Sequence, residues 1–143
     1  MVKFDREKIL LLQQLVIDYT GGTAGVRDIG LLDSAINGIY QTFDGKELYS
    51  TNEEKGARLG FCLVSNHAFI DGNKRVGLLV MLSFLAINGI NLRYTDADLI
   101  KVGLSLADGK MKYDSLLEWI GKHKATKIVK KEENLKKINE LIQ

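Results

Sequence analysis

The chain has 143 residues, enough for one domain that buries roughly two-thirds of its unfolded surface. Its 45% hydrophobic and 27% charged residues exclude a disordered or fibrous polymer, and a single cysteine excludes both an intramolecular disulfide and a cysteine-built zinc ribbon. A net charge of +2 is too small to imply direct nucleic-acid binding, and the basic excess belongs to the end of the chain, where residues 122–143 carry seven lysines against three glutamates.

The opening stretch "MVKFDREKILLLQQL" is charged from the start and has no small-residue cleavage site behind an apolar run, so a cytoplasmic protein is expected. Residues 5–19 place Ile9, Leu12, Leu15, Val16 and Tyr19 on one helical face and stop at Gly21-Gly22, a pair suited to the left-handed end of a helix. After "TAGVRD", Asp28 is placed to cap a second helix whose Leu31, Leu32, Ala35, Ile36 and Ile39 keep the 3.6-residue period and whose end is expected near Gln41. Residues 42–51, "TFDGKELYST", break that period around Asp44-Gly45 and predict a short β-hairpin or flap. Thr51 and Glu54 form a capping box for a helix to about Asn66, in which Cys62 reads as a small buried hydrophobe.

The most apolar run, "VGLLVMLSFLAINGI" over residues 76–90, falls short of the roughly 18–20 residues that span a bilayer, and it contains Ser and Asn. It predicts a core helix and no membrane contact. Thr95 with Asp98, and Ser115 with Glu118, predict two further capped helices. Beyond them Ile128, Leu135, Ile138, Leu141 and Ile142 recur near helical spacing among lysines, the pattern of a basic amphipathic helix. The expected fold is therefore all-α: a compact helical bundle over residues 1–124 with a small β-hairpin flap, followed by a basic C-terminal helix over residues 125–143.

Between the two most apolar helices lies "HAFIDGNKR", residues 67–75, which gathers an imidazole, a carboxylate, a glycine, an amide and two cations into one connection. The N-terminus of the following helix offers unpaired amides and a positive dipole end, and Gly72 lets the backbone come close to an anion. Lys74 and Arg75 sit at the wrong end of that helix for its dipole unless something negative is bound there, and a phosphate resolves the conflict. Asp71 is then an awkward neighbour unless a divalent cation lies between, as Mg²⁺ does when held by one or two carboxylates and phosphate oxygens. His67 supplies the side chain whose ordinary titration range lies nearest neutrality, and so a general base. Asp-Gly-Asn alone is an ordinary turn, and a lone histidine at a helix end is commonly structural, so the combination carries the reading. The P-loop, the dinucleotide fingerprint and the zinc-protease motif are absent, and His123 reads as a surface residue.

"HAFIDGNKR" resembles the signature of the Fic/Doc family, His-x-Phe, then after one residue an acidic residue, a small residue, Asn, Gly or Lys, and Arg. It is similar to the Doc branch, which has Lys where most Fic enzymes have Gly. "GGTAGVRDIGLLDSAI", "TFDGKELYSTNEEKGA" and "NGINLRYTDADLI" look like Doc-type segments, so the resemblance covers roughly residues 5–121. It implies a Fic/Doc-like bundle with His67 as catalytic base, Asp71 as Mg²⁺ ligand, and Gly72, Asn73, Lys74 and Arg75 as the nucleotide-phosphate site. Phe69 would anchor the loop, and residues 42–51 would align a target segment by strand addition.

The second Arg that closes many Fic motifs is missing, since Leu78 stands there. With Lys74 this departure points away from adenylylation and towards transfer of the γ-phosphate of ATP to a protein hydroxyl. The resemblance then implies a toxin that phosphorylates elongation factor Tu and is neutralised by a Phd-type antitoxin. Two alternatives stay open: a Fic-type adenylyltransferase, and a catalytically silent binding module, which would have no use for an intact His67 and Asp71. In the tail, "VKKEEN" over residues 129–134 has the Glu133-Asn134 of an inhibitory Fic helix but Val129 where Ser or Thr is required.

Overall fold

The computed structural model describes residues 1–125 and 138–140. Across them the chain forms helices α1 (Arg6–Thr20), α2 (Ile29–Gly38), α3 (Asn52–Ser65), α4 (Asn73–Ile87), α5 (Asp96–Ala107) and α6 (Tyr113–Lys122), with strands β1 (Thr42–Phe43) and β2 (Lys46–Glu47) between α2 and α3. The fold is the expected all-α one with a two-stranded flap. No described helix is long and apolar enough to cross a membrane.

Most helix starts follow local hydrogen-bond chemistry. Asp5 and Asp28 accept from the amides of Lys8 and Leu31, and Thr51 with Glu54 and Thr95 with Asp98 form complete capping boxes. The Ser115–Glu118 box does not form: α6 begins three residues earlier behind Lys112, with no side-chain cap, and Glu118 instead pairs with Lys122 at 2.8 Å. The α1 face is also rotated from the expected one. Ile9, Gln13, Val16 and Ile17 are buried, whereas Leu15 and Tyr19 are 42% and 57% exposed. Helix α2 stops at Gly38, short of Gln41, because the Tyr40 and Gln41 amides turn back to the carbonyls of Asn37 and Gly38, and Gln41 then starts the flap by accepting from Leu48.

The core is built around α4, whose residues from Val76 to Leu82 are all buried and which packs against α1, α3 and α5. The α3–α4 crossing is close because glycines face it. A methyl group on Gly56 would lie 2.6 Å from Leu85, on Gly60 2.8 Å from Met81, and on Gly77 2.5 Å from Val64 and 3.0 Å from its backbone nitrogen. Interhelical contact this tight fixes the end of α3 relative to the start of α4, and the connection between them is the 67–75 stretch.

The flap turns at Asp44 and Gly45, both at positive φ (54° and 78°), as a two-residue hairpin requires. Its root is held by Lys55, 2% exposed, whose ammonium donates to the Tyr49 carbonyl and lies 3.2 Å from Glu47. Tyr49 in turn packs edge-on against Tyr113, ring centroids 5.5 Å apart, and burial pushes the Tyr113 hydroxyl up to about 12, so it stays neutral.

At the other end the chain after α6 folds back on residues 91–93: Arg93 donates to the His123 carbonyl at 2.6 Å and Ala125 to that of Asn91 at 2.7 Å. His123, expected at the surface, is half-buried, its ring stacked on Trp119 at 4.3 Å. Most of the basic helix expected over 125–143, including the 129–134 segment, lies outside the described residues. Residues 138–140 are helical, and Ile138 joins the core beside Phe4 and Ala86.

Candidate active site

Residues 66–72 form the connection between α3 and α4, pinned from inside and from one flank. Phe69, 1% exposed, anchors it in the core as expected. Asn73 closes the turn over itself, its side-chain oxygen accepting from the Phe69 amide (3.0 Å) and its side-chain nitrogen donating to the Phe69 carbonyl (3.1 Å). Both ends of that side chain are therefore occupied, and what Asn73 offers a ligand is its backbone amide. Gly72 precedes α4 with φ 80° and ψ 16°, a conformation costly for any residue with a Cβ.

That helix start differs from those of α1, α2, α3 and α5. No side chain caps it, and Lys74 and Arg75 stand there exposed, with no carboxylate partner among the described residues; as in α2, no acidic residue lies in its first turn. Three amides and two cations converge without a protein anion, the arrangement that favours a bound phosphate. A cleft of about 720 Å³ opens over it, lined by His67, Gly72, Asn73, Lys74 and Arg75 on one side. The other side is apolar, made by Val64 and Leu78 with Leu99, Ile100, Gly103, Leu104 and Ala107 of α5. Leu78, in the place of the absent second Arg, is 7% exposed and meets α5 where Gly103 leaves room; a methyl group there would lie 3.0 Å from it.

Five of the six sequence-predicted site residues thus line one cleft. Asp71 does not: it is exposed, but its carboxylate turns to the 21–23 loop, where it accepts from the Thr23 amide at 2.8 Å. As for Mg²⁺, no group of three or more His, Cys, Asp or Glu among the described residues could hold a metal. A single carboxylate with one oxygen already hydrogen-bonded fits a Mg²⁺ ion carried mainly by phosphate oxygens and water, and does not fit a protein-built metal centre.

Three supports and one wall of the site lie outside the nine-residue stretch. Gln13, 2% exposed on α1, donates to the carbonyls of Gly25 and Asp71 (3.3 Å each) and accepts from the Gly25 amide (3.0 Å). A polar residue on an apolar face between Ile9 and Val16 was the available signal. Thr23 acts through its backbone and Arg27 from a loop, with no signal of their own. The α5 wall is likewise visible only in three dimensions. Cys62 is half-buried and burial pushes its thiol up, so it offers no thiolate.

Residues 3–85 match the Fic/DOC family, which covers more than half of the sequence, and the chain belongs to that family. Over 88 residues it is 40% identical to a protein of Mycolicibacterium smegmatis described as "Toxin Doc", an alignment that takes in 62% of this chain and 65% of that relative. Members of the family are typically enzymes that transfer nucleotidyl or phosphoryl groups.

Proposed function

We propose that this protein is a Doc-type toxin that transfers the γ-phosphate of ATP to a hydroxyl of a target protein, with elongation factor Tu as the target and a Phd-type antitoxin as the neutralising partner. The carrying observation is that His67 shares one cleft with an uncapped, doubly cationic helix start, on a chain 40% identical over 88 residues to a relative described as a Doc toxin.

In this reading the amides of the first turn of α4, with Lys74 and Arg75, hold the phosphates, and the apolar wall of α5 receives the base and ribose. His67 takes the proton of the target hydroxyl as its oxygen attacks the γ-phosphorus, the bond from that phosphorus to the β-bridging oxygen breaks, and ADP leaves. Asp71 would hold Mg²⁺, which when bound neutralises charge on the phosphates. The flap, with Phe43 74% exposed on its first strand, presents an edge to which a target segment adds. Lys74 favours phosphorylation over adenylylation because its side chain occupies the space a glycine would leave for the terminal phosphates. The test is to incubate the purified protein with a bacterial lysate and either γ-labelled or α-labelled ATP. Transfer of γ-label alone is expected; transfer of α-label alone would make the protein an adenylyltransferase.

A further inference from the structure

His67 is one of two non-glycine residues with positive φ among those described, at 54°. The other, Asp44, is at the flap tip, where a two-residue hairpin demands it. His67 follows the α3 C-cap Asn66, where helices commonly turn left-handed with Gly or Asn, and there a histidine bears the cost of its Cβ. A left-handed backbone is costly for a residue with a Cβ and persists only where surrounding contacts over-determine it. The holding contacts are therefore a property of the site, and they come from outside the 67–75 stretch.

They converge on three successive carbonyls. Arg27 Nε donates to the His67 carbonyl at 2.7 Å and its Nη2 to that of Asn66 at 3.4 Å, while the backbone amides of Arg27 and Asp28 both donate to the Ala68 carbonyl, at 2.8 and 3.1 Å. Val26 and Phe69 pair as an antiparallel bridge, so the 25–28 segment runs beside the loop as a short second strand. Asn66, at the C-cap of α3, adds bonds from its side chain to the Leu31 carbonyl and from the Ala68 amide. The guanidinium thus gathers carbonyls at the negative end of the α3 dipole, where a cation is favoured, and grips the carbonyl of His67 itself. The phosphate half of the cleft has different supports: Asn73 on Phe69, and Gln13 on Asp71.

From this division of supports we propose that Arg27 is a positioning residue for His67: its guanidinium holds the histidine backbone in the left-handed conformation that sends the imidazole into the cleft. Arg27 takes no part in holding nucleotide. The inference rests on the reading of His67 as catalytic base for its kinetic arm, and on geometry alone for its structural arm.

The test uses the full chain with Arg27→Ala and Arg27→Lys. The side chain of Arg27 is exposed and its backbone bonds survive substitution, so both variants should fold; circular dichroism checks this. In the structural arm, NMR backbone shifts and scalar couplings of His67 should leave their left-handed values in Arg27→Ala and move part of the way in Arg27→Lys, which keeps the charge but loses the fork. In the kinetic arm, a misplaced base should lower kcat about 10²-fold in Arg27→Ala while KM for ATP stays within about threefold. Unmoved His67 signals would overturn the proposal, as would displaced signals with wild-type kcat, or a raised KM with kcat kept. A wild-type protein that transfers no label defeats the functional reading instead, and the NMR arm then decides the role of Arg27 by itself.

Discussion

The two walls of the cleft are built in different ways. The cationic wall comes from one contiguous stretch, residues 67–75, in which every polar group is a few positions from the next and the α4 start supplies amides for nothing. The apolar wall comes from α5, whose Ile100 and Leu104 are 60% and 52% exposed, and which reaches the site only because Gly103 lets it close on Leu78. Chemistry that depends on close spacing is concentrated in sequence. A surface that needs only shape and apolarity can be borrowed from a helix some thirty positions away.

The largest effect should come from the cationic wall. His67→Ala is expected to cut label transfer about 10²- to 10⁴-fold with little change in thermal stability, since the side chain is exposed. Wild-type activity in this variant would remove the chemistry from that wall and favour a binding module.

Gly77→Ala should strike both walls at once, because the added methyl meets Val64 at 2.5 Å and its backbone nitrogen at 3.0 Å, and α3 and α4 must part to take it. Overpacking of this kind costs about 1–3 kcal/mol, read as a loss of several degrees in Tm. An unchanged Tm would show that the crossing is looser than described.

The apolar wall alone is probed by Leu104→Asp. A carboxylate on the exposed face of α5 should raise KM for ATP about tenfold and leave kcat within about twofold. An equal fall in kcat would mean that α5 aligns the reacting groups and does more than shelter the base.

The smallest effect concerns the tie between α6 and α3, where Lys124 lies 2.7 Å from Glu53. The lysine hydrogen bond holds the Glu53 carboxyl below its ordinary range, so the stabilisation is present above the unfolded carboxyl value of about 4.3 and is lost as pH falls through the folded one. Lys124→Ala should therefore cost about 0.5 kcal/mol at pH 7 and progressively less as the carboxyl is protonated in acid, measured by denaturant unfolding across that pH range. A deficit that persists in acid would point to lost packing of the lysine stem.

Reading these walls from sequence succeeded where the signal is local. Caps at Asp28, Thr51 and Thr95 and the Asp44-Gly45 turn each follow from a few adjacent residues, and the structure has them; the apolar run over residues 76–90 is a core helix as expected, though it ends at Ile87. His67, Gly72, Asn73, Lys74 and Arg75 line one cleft for the same reason. What failed depended on neighbours. The α1 face turned because Gln13 is buried to reach Gly25 and Asp71, and the α6 start moved ahead of its Ser115 signal. The Asp71 carboxylate accepts from the Thr23 amide, nearly fifty residues earlier, a partner with no signal in the local sequence.

In the proposed reading the α4 start binds the phosphates of a nucleotide whose terminal phosphorus faces His67. A crystal structure with Mg²⁺ and a non-hydrolysable ATP analogue tests it most directly. Phosphate oxygens are expected on the amides of residues 73–75, with the γ-phosphorus nearest the His67 imidazole and the base against Leu104. An α-phosphorus nearest His67, or a nucleotide bound anywhere but this cleft, would contradict it.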